Sequence, residues 1–175
     1  MHRRLKGKAG KELRRAVGVI DYRARMQDFK KLRVWHAAVR LSLSVVDALP
    51  EQRARRIPGL RSQAIRAGMS VHANLVEGCA RATRMELLHF VEISTASLKE
   101  LEAHMIVARD GRIIAVDLHR DLQSGVILVR RMLLSFQNTL QRRIAEEQAD
   151  RLRRRRRHMR RIGDVVVQDR PNAVL

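Results

Sequence analysis

One cysteine, three prolines and 3% aromatics are all that this 175-residue chain has of those residues. The single thiol, Cys79, excludes an internal disulfide and fits a reducing compartment, so a cytoplasmic location is expected. So few aromatic and turn-forming residues speak against a sandwich or a barrel. No run of about 18 apolar residues occurs, so neither a membrane-spanning helix nor a membrane partner is expected. The first residues, MHRRLKGKAGKELRR, have no apolar core of the signal-peptide kind. There is no glycine-rich phosphate loop and no nucleophile elbow. Cys79 follows Gly78, at a helix end where a thiol could be exposed, but no histidine is paired with it by spacing. Glu86 and His89 form one Glu-x-x-His pair where carboxylate-bridged metal bundles use two, and Glu100 and His104 have another spacing. A non-enzyme without metal, cofactor or small-molecule substrate is the expectation. An enzyme or metal protein built on Glu77, Glu86 and His89 is the weakest alternative.

What the chain has is positive charge and helical periodicity. Its net charge is +19, from 37 basic and 18 acidic residues, and twelve of the nineteen net charges fall in residues 1–25 and 147–175. Basic ends attract polyanions. Residues 1–27 read as a flexible arm, or as a stretch upstream of a true start at Met26. Residues 150–175 read as an arginine-rich tail whose last part, DVVVQDRPNAVL, is disordered.

Between them, apolar residues make up 45% of the whole chain, enough for a core, and step by three and four. The first predicted helix covers 32–49, with a stripe of Trp35, Val39, Ser42, Val46 and Leu49, and ends at Pro50. The linker EQRARRIPG follows. The second helix, 60–77, is apolar or small almost all round, with Leu60, Ala64, Ala67, Val71 and Leu75 on one face. Gly78 is expected to end it in the left-handed conformation. The third, 83–109, opens on Thr83 with Glu86 three residues on, a capping-box pattern, and buries Leu87, Val91, Ser94, Leu98, Leu101, Met105 and Ala108. The fourth, 118–149, has Leu122, Val126, Val129, Leu133, Phe136, Leu140 and Ile144, and can continue into the arginines. Four such helices on short loops imply an all-α, antiparallel up-and-down four-helix bundle over 28–149.

Two features point toward function. Arg66, Ser70, Asn74 and Glu77 share one face of the second helix. They are either a ligand or RNA contact, or a hydrogen-bond network to Ser94, Ser97 and Glu100 of the third helix. The second reading is preferred, because a buried amide without partners costs about 1–3 kcal/mol. The other feature is RLRRRRRHMRR at 151–161. Arginine forks match phosphates, and no interleaved aromatics are present to stack bases. The expected contacts are Arg53, Arg55 and Arg56 of the linker and Arg151, Arg153, Arg154, Arg155, Arg156, Arg157, Arg160 and Arg161. The competing explanation is a solvated tail in an arginine-rich proteome, since 31 of the 37 cations are arginine.

Three stretches, FKKLRVWHAA at 29–38, LRSQAIRAGMSVHANLVEG at 60–78 and SLKELEAHMIVA at 97–108, resemble motifs of a bacterial four-helix bundle family first described as 23S rRNA intervening-sequence proteins. The positions that match are Phe29, Trp35, Gln63, Arg66, Ser70, Asn74, Glu77, Gly78, Ser97, Glu100 and Leu101. The resemblance covers about 29–145 and leaves out both basic ends. It implies a bundle assembled as a homopentamer, with no established enzymatic activity and a suspected nucleic-acid role. The accessory variability protein of diversity-generating retroelements is similar, so a reverse transcriptase is a second possible partner. His72 stands where the family usually has proline, which implies a straighter second helix, and Cys79-Ala80 stand where a glycine commonly follows Glu-Gly.

Overall fold

The computed structural model describes residues 28–168, and side chains as far as Met159. The expectations for residues 1–27, and for the end of the chain beyond 168, lie outside the described residues.

All regular structure among the described residues is helical. A 3-10 turn at Phe29–Lys31 is capped by Asp28, whose carboxylate accepts from the Lys30 amide at 3.1 Å. Then come α1 (Arg33–Ala48), the single turn α2 (Glu51–Ala54), α3 (Leu60–Cys79), α4 (Arg84–Asp110) and α5 (Val116–Gln168). Thr83 and Glu86 form the expected capping box: the Glu86 amide donates to Thr83 Oγ1 at 3.2 Å, and the Thr83 amide donates to Glu86 Oε2 at 3.0 Å. The two orphan donors at the start of α4 are thereby satisfied. α3 runs unbroken through His72, as a residue other than proline permits.

The four long helices close on one interior. Val45 and Leu49, Val71 and Leu75, Val91, Leu98, Leu101 and Met105, and Val126, Val129 and Leu133 are each within 1% of full burial. Burying each such side chain contributes roughly 1.5–3 kcal/mol. The stripes expected on α3 and α4 are the buried ones. On α5 the expected stripe is buried except for the half-buried Phe136 and Ile144.

The α1 register differs from expectation by one position. Val34, Ala37, Ala38, Leu41, Val45 and Ala48 face the core, while Trp35, Val39 and Val46 are half-buried. The opposite wall explains this. Ala64, Ala67 and Gly68 bring α3 so close that Ser42 Oγ bonds to the Gly68 carbonyl at 2.8 Å, a gap that small side chains fill and an indole does not. Trp35 instead packs edge-on to Phe29 at the rim, with ring centroids 5.0 Å apart.

Gly78 also has another role than expected. It does not end α3 in a left-handed conformation, because α3 continues to Cys79 and Gly59 alone among the described glycines has positive φ. A Cβ on Gly78 would stand 2.8 Å from the Phe90 Cβ and 2.9 Å from Leu87 Cδ1. The missing side chain lets α4 cross close to α3. Cys79 is buried, contrary to the exposed thiol expected, and burial together with the Asp28 charge pushes its pKa up to about 11. It therefore stays a thiol at neutral pH, inert as a nucleophile.

Candidate functional site

The polar row of α3 resolves into two layers. Ser70 and Asn74 are half-buried against α4, while Gln63, Arg66 and Glu77 are exposed. Ser70 Oγ lies 2.9 Å from Ser97 Oγ, and Ser97 in turn donates to the Ile93 carbonyl at 3.0 Å. Asn74 Nδ2 donates to both the Ser70 carbonyl and Ser70 Oγ, at 2.8 and 2.9 Å. The inner layer is thus a hydrogen-bonded link between helices, the preferred of the two readings, and it is made through Ser97 alone. Ser94 bonds back to Phe90 of its own helix, and Glu100 is exposed, 3.7 Å from His104. Partnered polar groups inside a seam fix register, since a slip leaves them unpaired. Leu101 is fully buried beneath this seam.

The outer edge of the seam is electrostatic. Glu77 and Arg81 are ion-paired one turn apart, and the Arg81 guanidinium sits over the Phe90 ring at 4.8 Å. Burial pushes the His72 pKa down, so this ring is neutral at physiological pH. The metal candidates of the sequence do not converge: Glu86 is engaged in the capping box and His89 is an exposed ring packed edge-on to Phe90. Among the described residues no three His, Cys, Asp or Glu side chains form a group able to hold a metal ion.

A second polar link, between α4 and α5, has no signal in the sequence pattern. Glu102 accepts from Arg130 and from Gln123, the latter at 2.5 Å, and these hydrogen bonds hold its carboxyl below the usual range. The residues are 21 and 28 positions apart, beyond the reach of helical spacing rules.

The arginines divide into two sets at opposite ends of the helical body. Arg53, Arg55 and Arg56 are exposed on α2 and the turn after it, next to Ile57, which packs against Gly111. Arg55 is within 3.5 Å of Glu51, and the neighbouring Arg61 anchors this corner by donating to the Leu49 carbonyl at 2.8 Å. The other set lies beyond the ion pair of Arg84 with Glu147, where α5 leaves the body. Arg151, Arg153, Arg154, Arg155, Arg156 and Arg157 are all exposed there, and Arg160 and Arg161 follow on the same helix with side chains outside the described residues. The fold does not bring the two sets together. Nor is 150–168 an irregular tail: it is helix to Gln168.

A family model described as "23S rRNA-intervening sequence protein" matches residues 30–135, more than half of the chain. The chain belongs to the 23S rRNA-intervening sequence protein family. The matched stretch contains the whole α3–α4 seam and stops inside α5, so the arginines from Arg142 onward lie outside it. Comparison with curated proteins yields no match. No helix among the described residues is long and apolar enough to cross a membrane.

Proposed function

We propose that this member of the family is a non-catalytic, oligomeric accessory scaffold that binds nucleic acid, RNA or an RNA–DNA hybrid, through phosphates. The observation that carries the reading is the exposed arginine arm of α5, with Arg151 and Arg153–Arg157 in solvent on every side of one helix. Guanidinium groups pair bidentately with phosphate oxygens, and each phosphate neutralised releases counterions. The family description, which names ribosomal RNA, favours this class of partner.

The body is an antiparallel up-and-down bundle in this reading. Ser70 meets Ser97 while Gly78 meets Leu87, and Glu102 meets Gln123 while Arg84 meets Glu147, so rising numbers on one helix meet falling numbers on the next. Assembly into a homopentamer, as the family resemblance implies, multiplies the arms and raises avidity. Arg53, Arg55 and Arg56 offer phosphates a second, smaller basic corner.

The test is anisotropy of a labelled RNA with the full chain between about 50 and 200 mM salt. A straight log–log decline is expected, together with light scattering that gives a multiple of 20.2 kDa. Binding that barely changes over this range overturns the reading. The alternative is an adaptor that docks a protein such as a reverse transcriptase. Leu43, Met69, Leu118 and Leu128 are apolar yet exposed, which favours a protein contact somewhere on the body. Recovery of a polymerase after nuclease treatment supports the adaptor over direct nucleic-acid binding.

A further inference from the structure

The outer face of α5 carries arginines where the bundle is still intact, well before the arm. Arg120, Arg131, Arg142 and Arg153 recur every eleven residues, and all four are exposed. Eleven residues are close to three helical turns, so each arginine is displaced by only about 20° around the axis from the one before. The result is a nearly straight ridge about 50 Å long. Its outer members make exposed ion pairs on their own helix, Arg120 with Asp117 at 3.0 Å and Arg153 with Asp150 at 3.9 Å. Such pairs are weak and open readily to a competing phosphate. The inner members, Arg131 and Arg142, have no acidic partner within 4.0 Å among the described residues. They flank a shallow cleft of about 440 Å³ lined also by Leu134, Ser135, Asn138 and Thr139. The Ser135 hydroxyl and the Asn138 amide are hydrogen-bonding groups placed between the two guanidinium groups, the set that a phosphodiester oxygen accepts from.

We infer that this ridge, centred on Arg131, Ser135, Asn138 and Arg142, is a binding track for the backbone of a nucleic-acid duplex. The inference rests on the proposed nucleic-acid reading and adds both the place and the kind of strand. Two observations select a duplex. The ridge is a long, stiff row of charge, and a duplex is a rod stiff over about 50 nm. Binding of single strands relies on aromatic platforms for the bases, and none of the described aromatics, Phe29, Trp35, Phe90 and Phe136, is exposed.

The experiment uses the full chain with labelled duplex DNA and duplex RNA of about 20 base pairs, and single strands of equal phosphate number. Duplex of one or both kinds should bind several-fold more tightly than the single strands, and which kind binds identifies the source. Arg131→Ala/Arg142→Ala should flatten the log–log salt slope by about two, one for each phosphate that is no longer neutralised, irrespective of base sequence. Arg131→Lys/Arg142→Lys should restore the slope, since lysine keeps the charge. Both positions are exposed, and an unchanged circular dichroism melt confirms that the fold is intact. If the wild type binds and the alanine variant keeps its slope, or if single strands compete equally, the track is overturned while the arm remains. If the wild type binds no nucleic acid, both readings fall.

Discussion

α5 is one continuous helix with two different reasons for being helical. Its first part, to about Ile144, lays Leu122, Val126, Val129, Leu133 and Leu140 against the core, all at most 4% exposed. Its second part buries nothing: every described side chain from Ala145 to Met159 is exposed. The first is held by packing, as most protein helices are. The second has only intrinsic propensity, which arginine and alanine favour, set against repulsion between like charges a turn apart. A bound polyanion removes that repulsion. The inner part is therefore a structural element, and the outer part is one whose order is coupled to its ligand.

The sharpest test of this contrast is a pair of leucines on the same helix. Leu133→Ala, at a fully buried site, should cost about 2–5 kcal/mol in urea unfolding. Leu152→Ala, at a site 59% exposed, should change the same transition by less than about 0.5 kcal/mol. A large effect at Leu152 would mean that the arm docks on something in the free protein, and the contrast would fail.

Much of this fold is legible from residue spacing, and the failures have physical causes. Heptad spacing locates the buried faces of α3 and α4, and Thr83 with Glu86 locates the start of α4, because both are local rules. Spacing misplaces the α1 register because Trp35, the largest apolar residue, is the natural anchor for a stripe. What excludes it is the small-residue wall of α3, a non-local fact. Gly78 reads as a helix stop for the same reason: glycine has two common uses, and only the position of Leu87 and Phe90 tells them apart. The polar row is half legible. Its face is clear from the steps of four and three, but Ser97 is one of three possible partners. The Glu102–Arg130 link has no pattern to reveal it, whereas the eleven-residue arginine repeat is visible in the sequence and becomes meaningful only once α5 proves continuous.

The α3–α4 seam offers the next contrasts, between a contact that forbids a side chain and one that needs it. Gly78→Ala places a methyl 2.8 Å from the Phe90 Cβ and 2.9 Å from Leu87, so a loss of about 1–3 kcal/mol is expected by thermal unfolding. Gly59, with φ at 81° and nothing near its Cβ position, should be strained by the same change for a backbone reason alone. Ser97→Ala removes one member of the inner layer. Ser70 keeps its bond from Asn74, so the expected cost is only about 1 kcal/mol. A larger loss would show the seam to be cooperative beyond its pairs.

The smallest effect belongs to the other polar link, and its signature is pH. Glu102 has a folded-state pKa below its ordinary value of 4.5, chiefly through the hydrogen bond from Arg130 and then that from Gln123. A carboxylate with a lowered pKa stabilises the fold fully above its unfolded value. That contribution fades as the pH falls through the lower folded value. Glu102→Gln should therefore be less stable than wild type at pH 7, by under about 1 kcal/mol because the pair is partly solvated. The gap should close as the pH drops below 4.5, the wild type losing stability faster than the variant. A gap that stays constant with pH would mean that Glu102 serves α4 and α5 by shape, with its charge contributing nothing.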